Sequence, residues 1–466
     1  MRVEIQLRIV GDDGTVLSDD AVLRLERADH RLAAVGLSLA EAKTLLADVQ
    51  NRLVAAQASD YVARQRPCPA CGRRRPIKGY ETIAFRTAFG VVRLPSPRLV
   101  HCGCQAAEAK TFSPLTTLLT EHTAPELLYL ESKFASLVSY GLTADLLQEV
   151  LPIGTTANAS TIRNHLHRVA RRCDAGLGPE QAGFIEGCPA DWTELPIPEG
   201  PIVVGLDGGH VRNWADKKTS FEVVVGKSVP EDRENRYFGC VPTVDDRPKR
   251  RIFEVLRGQG LRMNQDLVFL TDGGDNLHAL VEGFSPCTEH YLDWFHVTMP
   301  LTVLGQYAKG LAHHDAGDAQ AIQDRLERIK WKLWHGDARE ALRRIEDLAE
   351  DLDALESAYP NRARFAKAAT EFAGYIRNNR AIIPNYGERR RYGEPISTAS
   401  VESAVNVVVD KRFAKKQQMQ WSKLGAHRLV QIRTRTLDGT RRETFAAWYP
   451  GMAANDSPTP VAADAA

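Results

Sequence analysis

The sequence predicts a mixed α/β protein of several domains, in which a sheet-forming region is followed by a large block of helices. Five apolar runs of strand length lie between residues 202 and 297, and residues 299–380 carry apolar side chains at helical spacing. A cysteine-bracketed segment of short strand-like runs and a leucine-rich helical segment precede this sheet-forming region. Both of these earlier segments predict smaller domains of their own.

The overall composition is that of a globular protein. The chain has 466 residues, of which 43% are hydrophobic and 26% charged, and its formal net charge is +1. It contains no uninterrupted apolar run of about 18 residues, so no membrane span is expected. The opening MRVEIQLRIVGDDG alternates like a strand and not like a signal peptide, so we expect a cytoplasmic protein. Its eight cysteines are then predicted to be ligands or core thiols.

The N-terminal strand is followed by a predicted amphipathic helix that begins near Ser38. The apolar residues of LSLAEAKTLLADVQNRLVAAQ recur at helical spacing. The Ser38-x-x-Glu41 spacing predicts a capping box at its start, in which each of the two residues binds the backbone N–H of the other.

Four cysteines form two closely spaced pairs, Cys68-Pro-Ala-Cys71 and Cys102-Gly-Cys104. Two thiol pairs on tight turns are typical of tetrahedral zinc, and four protein ligands predict a structural and not a catalytic ion. A redox CxxC motif or four buried cysteines is the alternative. The remaining cysteines are predicted core thiols: Cys173, Cys188, Cys240 and Cys287.

The leucine-rich segment LTADLLQEVLPIGTTANASTIRNHLHRVARR has the spacing of a helix-turn-helix, with the second helix opening at Ser160. That helix offers side chains suited to DNA bases and phosphates. They are Arg163, Asn164, His165, His167, Arg168, Arg171 and Arg172. A helical bundle with a basic face that binds no DNA is the alternative interpretation.

Three carboxylates are candidates for a metal site. Asp207 and Asp272 each end an apolar run and are each followed by two glycines, and Glu402 lies on a predicted helix. Such acids can converge at the rim of a sheet, where clustered carboxylates are held together mainly by divalent cations. The glycines are predicted to leave room for an ion or a phosphate. The alternative is that each Asp-Gly pair is a turn, and Asp275 is predicted to cap the next helix.

Asp293 and His296 form a D-x-x-H motif at the end of another apolar run, where they can contact a phosphate or orient the metal ligands. A buried structural histidine is the alternative. Basic residues follow along the chain: residues 411–442 carry ten Lys or Arg against one acid. Phosphate contacts are predicted for Arg212, Arg389, Arg390, Lys411, Arg412, Lys415 and Lys416. His210 is a further neighbour of the phosphate, and a solvated charged face is the alternative.

The order of these motifs resembles that of the DDE transposases, in the Mutator/hAT-like branch. Asp207, Asp272, the Asp293-x-x-His296 pair, a helical block and Glu402 follow one another as in that branch. Longer stretches resemble the ISKra group of bacterial insertion-sequence transposases, and the likeness covers nearly the whole chain. These stretches are GLDGGHVR, LTDGGDN, WKLWHGD, ISTASVESAVN and QQMQWSKLGAHRLVQIRTR.

The resemblance implies a ribonuclease-H-like catalytic domain with an all-helical insertion, preceded by a zinc-ribbon-like module and a helix-turn-helix-like domain. It implies two Mg²⁺ or Mn²⁺ ions at Asp207, Asp272 and Glu402, with Asp293 and His296 beside them. The implied partners are double-stranded DNA, as terminal inverted repeats and target, and a second copy of the chain. The implied reactions are strand cleavage and strand transfer in the bacterial nucleoid. In related insertions an aromatic residue stacks on an extruded base, but Trp331 and Trp334 at helical spacing also suit a core.

The predicted boundaries follow from these motifs. They are 1–62 for the N-terminal strand and helix, 63–112 for the zinc-ribbon-like module, 113–178 for the helical DNA-binding domain, 195–298 and 381–445 for the two parts of the catalytic domain, 299–380 for the insertion and 446–466 for a disordered tail. Two other functions stay open. One is a non-catalytic DNA-binding regulator derived from a transposase. The other is a sugar-kinase- or actin-like ATPase, since D-G-G after a strand also resembles a phosphate-binding turn.

Overall fold

The computed structural model describes the chain except for residues 28–31, 33–34, 105–108, 181–187, 193, 197, 199, 232, 398–403, 414–418 and 455–466. The chain divides into two compact units. The first consists of Met1–Val169 and Thr440–Ala466, and the second is Ala170–Gly439. The predicted boundaries of the smaller segments stay predictions.

The first unit contains two antiparallel sheets and a set of helices. Its elements are β1 (Arg2–Val10), β2 (Val16–Glu26), α1 (Leu39–Gln65), β3 (Ile77–Thr87), β4 (Gly90–Val100), β5 (Thr111–Phe112), α2 (Pro114–Leu118), α3 (Pro125–Leu137), α4 (Tyr140–Val150) and α5 (Ala159–Ala175), which ends in the second unit. β1 pairs with β2, a strand that the sequence did not predict, and β3, β4 and β5 form the second sheet. The predicted capping box is confirmed, because Ser38 Oγ accepts from the N–H of Glu41 and Glu41 Oε2 accepts from the N–H of Ser38.

The second unit is built on a five-stranded mixed sheet. Its strands are β6 (Ile202–Arg212), β7 (Ser220–Val229), β8 (Arg236–Cys240), β9 (Leu267–Thr271) and β10 (Thr288–Leu292), and their order across the sheet is β10-β9-β6-β7-β8. β6, β7 and β8 form a consecutive antiparallel meander. β9 lies parallel to β6, and β10 lies parallel to β9. All five predicted strand runs are therefore strands, although the last one ends earlier than its apolar run.

Helices lie on both faces of this sheet. The helical elements of the unit are α6 (Pro189–Trp192), α7 (Pro248–Gly258), α8 (Asp275–Val281), α9 (Trp294–Leu311), α10 (Ala316–Trp334), α11 (Ala338–Ala354), α12 (Arg362–Asn379), a 3-10 turn (Arg380–Ile382), α13 (Tyr386–Arg391), a π-helical turn (Asn406–Asp410), α14 (Lys411–Phe413) and α15 (Lys423–Leu437). Val204 and Leu206 of β6 share a core with Leu256 of α7 and Leu277 of α8. On the opposite face, a Cβ at Gly209 would lie 3.1 Å from Val409 Cγ1, so the π-helical turn covers this part of β6.

The predicted helical block is confirmed as four helices, α9 to α12, around one core. Leu304, Ile329, Ile345 and Phe365 belong to that core, one from each helix. Side chains of Asp293, Asp315 and Asp337 accept backbone N–H groups at the starts of α9, α10 and α11.

The chain closes with α16 (Arg441–Trp448) and α17 (Pro450–Ala454), which belong to the first unit. The predicted disordered tail lies mostly outside the described residues. Within the described part of the chain, no helix combines the length and the apolar character needed to cross a membrane.

Candidate functional site

The four predicted zinc ligands converge on one point. The ligand atoms of Cys68, Cys71, Cys102 and Cys104 all lie within 4.8 Å of one another. Cys68 Sγ is 3.5 Å from Cys104 Sγ, and Cys71 Sγ is 3.4 Å from Cys102 Sγ. Thiolates that bind one zinc ion at about 2.3 Å in a tetrahedron lie about 3.8 Å apart, so the spacing fits such an ion closely. The cluster can hold a metal ion.

Local backbone structure shapes this cluster. The N–H of Gly72 donates to the carbonyl of Cys68, and Gly72 has φ +71°, which lets the chain turn tightly after the first pair. Burial alone raises the pKa of the Cys68 thiol, but hydrogen bonds from the backbone at Ala70 and Cys71 outweigh it and lower that pKa to about 6. The neighbouring thiols Cys102, Cys71 and Cys68 raise the pKa of Cys104 to about 12, so the four thiols do not ionise equally readily.

The second candidate site is an edge of the five-stranded sheet where three aspartates follow one paired row, although among the described residues only the four cysteines bring three or more ligand atoms within 4.8 Å of one another. Leu206, Thr271 and Leu292 form one paired row across the parallel strands β6, β9 and β10. The residue after each of these three is an aspartate: Asp207, within β6, and Asp272 and Asp293, directly after β9 and β10. Neighbouring strands lie about 4.8 Å apart, so the register brings two acids that are far apart in the sequence onto adjacent strands.

Asp207 does not end its strand, as the sequence had suggested. β6 continues to Arg212, and residues 207–212 pair with β7. The alternative that the Asp-Gly pair is a turn is therefore wrong at this position, because Gly208 and Gly209 are paired strand residues. Asp207 is half-buried, and its Oδ1 accepts the N–H of Gly208 at 2.7 Å.

The two glycines of β6 make room for protein side chains and not for an empty cleft. A Cβ at Gly208 would collide with the carboxylate of Glu222, which itself accepts a hydrogen bond from Asn276 at 2.6 Å. A Cβ at Gly209 would be 3.2 Å from Val405 Cγ1. The predicted clearance exists, but neighbouring residues of the second unit occupy it.

Asp272 stands where the sequence predicted, directly after β9 and before α8. Its Oδ1 accepts the N–H of Gly274 at 2.8 Å, and its backbone carbonyl accepts the hydroxyl of Tyr375 at 2.9 Å. Burial, followed by the nearby charges of Asp272 and Asp293, raises the pKa of Tyr375, so this phenol stays a donor. Asp275 is not the cap of α8: that position is Gly274, and Asp275 is exposed in the first turn.

Two histidines support the strand end beneath Asp272. His290 Nε2 is 2.9 Å from Thr271 Oγ1, and the rings of His278 and His290 meet at 4.7 Å. Burial, and then the neighbouring His278, lower the pKa of His290 to about 4, so it is neutral at neutral pH. The amide of Asn379 occupies the space that a Cβ at Gly273 would need, and Gly273 has φ +82°. This turn therefore requires a glycine.

The D-x-x-H motif directly follows β10 and opens helix α9. Asp293 is buried and caps α9, because its Oδ1 accepts the N–H of Phe295 at 2.8 Å. Its own N–H donates to the carbonyl of Thr271 at 2.8 Å, which ties α9 to the end of β9. His296 is half-buried in the first turn of that helix.

Glu402 lies outside the described residues, and so do Lys415 and Lys416. The chain is described again from residue 404, where Val405 and Val409 pack over Gly209. Arg433 of α15 donates to the carbonyls of Val407 at 2.5 Å and Val408 at 2.8 Å, which satisfies oxygens of the π-helical turn. Burial, and then the charge of Arg412, lower the pKa of Arg433 to about 10.

The predicted phosphate-contacting residues fall into two groups. Arg212, Arg390 and Lys411 are exposed. Arg412 is buried with its guanidinium 5.2 Å from the ring of Trp421. Arg389 is packed 4.0 Å from the ring of Tyr291 and is held by Glu394. In this structure Arg412 and Arg389 are therefore packing residues of the second unit.

Helix α5 carries all but one of the predicted DNA-contacting side chains on one stripe. Ile162, Leu166, Val169, Ala170 and Cys173 form its buried face. Arg163, Asn164 and Arg171 are exposed, whereas His167, Arg168 and Arg172 are half-buried. His165 faces inward and pairs with the buried Glu131, so it is a structural residue.

The two tryptophans of the helical block differ in their surroundings. Trp334 packs against Trp294 at 4.9 Å and stacks on Tyr386 at 6.3 Å, so it belongs to the packed interior of the block. Trp331 is 48% exposed and stacks on His335. The core interpretation therefore fits Trp334 better than Trp331.

For several residues near the acidic edge, no motif or spacing in the sequence indicates that they lie there. Tyr375 and Asn379 come from α12 and reach the end of β9 only through tertiary packing. Glu222 of β7 and Arg433 of α15 likewise reach Gly208 and the π-helical turn only through tertiary packing. The hairpin between β6 and β7 could have been noticed, because NWADKKTS places a tryptophan and two lysines between two strand runs.

No known family model matches the chain, and no curated protein sequence is significantly similar to it.

Proposed function

We propose that this chain is a metal-dependent DNA transposase of the DDE type, with Asp207, Asp272 and Glu402 as its three acids. The observation that carries the proposal is the paired row across three neighbouring parallel strands, because in each of them the next residue of the chain is an aspartate. Carboxylates on adjacent strands repel one another unless cations hold them. A divalent metal site at this edge explains why such residues occur together.

The strand order supports a ribonuclease-H-like fold for the second unit. In that fold the first acid lies on the first strand and the second acid follows the fourth strand. Here Asp207 lies on β6, the first strand of the sheet along the chain, and Asp272 follows β9, the fourth. The large helical block then follows β10 and precedes the segment that contains the predicted third acid.

The position of Val405 supports Glu402 as the third acid. Val405 packs over Gly209, two residues beyond Asp207 on the same face of β6. A strand rises about 3.3 Å per residue, and three residues of chain span at most about 11 Å. The distance from Val405 to Asp207 is therefore compatible with Glu402 as the third acid.

Each of these residues has a defined role in the proposed chemistry. Two bound divalent cations would activate the attacking water or 3′-hydroxyl and stabilise the leaving oxygen of the phosphodiester. Asp207 and Asp272 would hold these cations, and the N–H groups of Gly208 and Gly274 orient their carboxylates. Cleavage and strand transfer are both in-line displacements at phosphorus, so one site can serve both reactions.

The cysteine cluster supports a structural zinc ion in the first unit. Its four thiols complete a tetrahedral ligand set, which leaves no position for a substrate. The exposed Arg163, Asn164 and Arg171 of α5 support recognition of double-stranded DNA, for which we propose the terminal inverted repeats of a mobile element. Pairing two ends of such an element implies a dimer or a larger assembly in the nucleoid.

The two alternative functions, an actin-like ATPase and a non-catalytic regulator, require different features of the chain. An actin-like ATPase needs its first Asp-Gly-Gly in a turn that receives phosphate, whereas Gly208 and Gly209 are paired strand residues. A non-catalytic regulator would bind terminal-repeat DNA without cutting it. ATP turnover in the absence of DNA would favour the ATPase, and tight binding without cleavage would favour the regulator.

The proposal is tested by strand cleavage on DNA that carries the sequences flanking this chain's own gene, with Mg²⁺ or Mn²⁺. We expect Asp207→Asn, Asp272→Asn and Glu402→Gln each to slow cleavage roughly a thousandfold, since ligand loss costs several kcal/mol of transition-state stabilisation. The matched control is Asp275→Asn, an exposed acid in the same turn as Asp272. Acid variants that cut as fast as the parent would refute the assignment.

A further inference from the structure

The hairpin tip between β6 and β7 (residues 213–219) is a rigid loop. The N–H of Asn213 donates to the carbonyl of Thr219 at 3.0 Å, and the N–H of Thr219 donates to the carbonyl of Asp216 at 3.0 Å. The side chains of Asn213 and Asp216 accept the N–H groups of Ala215 and Lys218 at 3.1 and 3.0 Å. These bonds fix the backbone before any partner binds, so its side chains are presented at low entropic cost.

The hairpin tip is also anchored to the chain that follows α14. The N–H of Trp214 donates to the carbonyl of Trp421 at 2.9 Å, and the N–H of Trp421 donates to the carbonyl of Arg212 at 3.0 Å. Trp421 is itself buried against the ring of Phe413 at 5.0 Å. The side chain of Trp214, in contrast, is 68% exposed.

A pocket of about 310 Å³ lies between this hairpin and the chain around α14. Its polar lining is His210, Arg212, Lys217, Lys218, Thr219 and Ser220, and its apolar lining is Val211, Val409, Phe413 and Met419. Within the described ranges, neither Lys217 nor Lys218 forms an ion pair with an acid. Asp216 is the acid within the tip, and its carboxylate is bound to the backbone of Lys218.

The lining selects the chemistry of the ligand. Three cationic side chains, an imidazole and two hydroxyls suit a phosphate group, and the apolar wall suits the sugar beside it. An exposed indole on a fixed backbone is a stacking platform for a nucleobase. His210 is three residues beyond Asp207 on β6, so these two residues of the strand lie roughly 10 Å apart along it.

We propose that this pocket binds a backbone phosphate of the DNA strand a few nucleotides from the scissile phosphate, while Trp214 stacks on an unpaired base of that strand. The inference rests on the proposed function, since it assumes that the acidic edge cuts DNA. The hairpin then fixes the strand on one side of the acids, and the cut position is set by the distance between pocket and acids.

The first test measures binding by fluorescence anisotropy with the full-length chain in EDTA, so that no cleavage takes place. The probe is a mixed-sequence DNA duplex with a single-stranded 3′ overhang. We expect Lys217→Ala/Lys218→Ala to weaken binding and to reduce the slope of log K against log salt by about 0.9 for each phosphate that the variant no longer neutralises. The control Lys309→Ala/Lys367→Ala removes two exposed lysines of the helical block and keeps the parent slope.

The second test concerns the stacking base. We expect Trp214→Ala to weaken binding of the overhang probe roughly tenfold and binding of a blunt duplex hardly at all, while Trp214→Phe retains most of the affinity. A lysine double variant with the parent salt slope, or a Trp214→Ala variant with parent affinity, overturns the proposal. So does an effect confined to an RNA probe. Because binding in EDTA does not require the acids, these outcomes are independent of whether Asp207→Asn abolishes cleavage.

Discussion

The cysteine cluster and the acidic edge of the sheet bring their ligands together by different means. In the cluster, each pair of thiols sits in one short turn, and a single β-hairpin, β3 to β4, joins the two turns. At the acidic edge, Asp207 and Asp272 come from separate strands and become neighbours only through the pairing of β6 with β9. A ligand set within turns depends on local backbone structure, whereas one across strands depends on the whole sheet.

The two sites consequently differ in what supports them. The turn at Cys68 is closed by its own backbone, with the N–H of Cys68 donating to the carbonyl of Arg73 at 2.9 Å. The turn at Asp272 is held by a hydroxyl from α12, that of Tyr375, and by the close fit of Asn379 against Gly273. The acidic edge should therefore respond to changes in the helical block, and the cluster should respond only to changes in its own turns.

The largest expected effect is the loss of the cysteine ligands. We expect Cys71→Ser and Cys102→Ser to abolish stoichiometric zinc and to unfold the β3–β4 module, because metal binding contributes on the order of ten kcal/mol to the folding of such modules. Zinc content by atomic spectroscopy and thermal unfolding measure both effects. Cys188→Ser removes an exposed thiol outside the cluster and should change neither quantity.

The next largest effect is expected at Gly273, where a side chain would add both backbone strain and a steric clash. Gly273→Ala introduces a side chain at φ +82° and a clash with Asn379, so we expect a loss of about 2–4 kcal/mol in the free energy of unfolding and slower cleavage. Gly283→Ala introduces the same kind of strain at φ +65° with no atom within 4 Å. Its expected cost is about 1 kcal/mol, and equal losses in the two variants would contradict the clash with Asn379.

A smaller effect is expected from the hydroxyl that ties the helical block to Asp272. Tyr375→Phe leaves the ring in place and removes one hydrogen bond to a backbone carbonyl, which costs about 1 kcal/mol. Cleavage should slow as well, since the carbonyl belongs to a proposed metal ligand. Tyr392→Phe, at a tyrosine that is 74% exposed, provides the matched control. A chemical-denaturation series that gives both variants the same stability would argue against this anchoring role.

A last effect depends on pH and concerns Asp438, a half-buried acid of the second unit outside both proposed metal sites. Burial raises the pKa of Asp438 to about 7, although its Oδ1 accepts the N–H of Tyr237. A raised pKa in the folded state means that stability is lost as the pH rises from the unfolded value near 3.9. We expect Asp438→Asn to be more stable than the parent by an amount that grows between about pH 4 and 7 and is constant above. A difference that does not vary with pH would show that Asp438 is ionised in the fold.

Periodicity and spacing were enough to predict the strands β6 to β10, the helices α9 to α12 and the four thiols of the cluster. Each of these depends on residues close in sequence. The start of α1 followed from Ser38 and Glu41 for the same reason. The second strand of the N-terminal hairpin, β2, was missed, because its polar and charged residues dilute the apolar alternation.

The surroundings of the acids depend on tertiary packing and could not be read in this way. Asp207 lies in the interior of β6 because β7 continues to pair beyond it, which no property of VVGLDGGHVR reveals. Arg412 was predicted from its charge to contact a phosphate, but it is buried against Trp421. His165 stood among the basic residues of α5, yet the helix turns it toward Glu131. Charge marks a residue as a candidate contact, and only the fold decides whether it reaches solvent.

The central claim is that Asp207 is a direct metal ligand for DNA cleavage, and a change of ligand chemistry tests it most directly. Cleavage by Asp207→Cys is compared with the parent in Mg²⁺ and in Mn²⁺. A thiolate is a poor ligand for the hard Mg²⁺ and a better one for Mn²⁺. We predict that the variant is inactive in Mg²⁺ and recovers partly in Mn²⁺, while the parent and Asp275→Cys cut with both ions. An Asp207→Cys variant that cuts in Mg²⁺ as fast as the parent would contradict the claim.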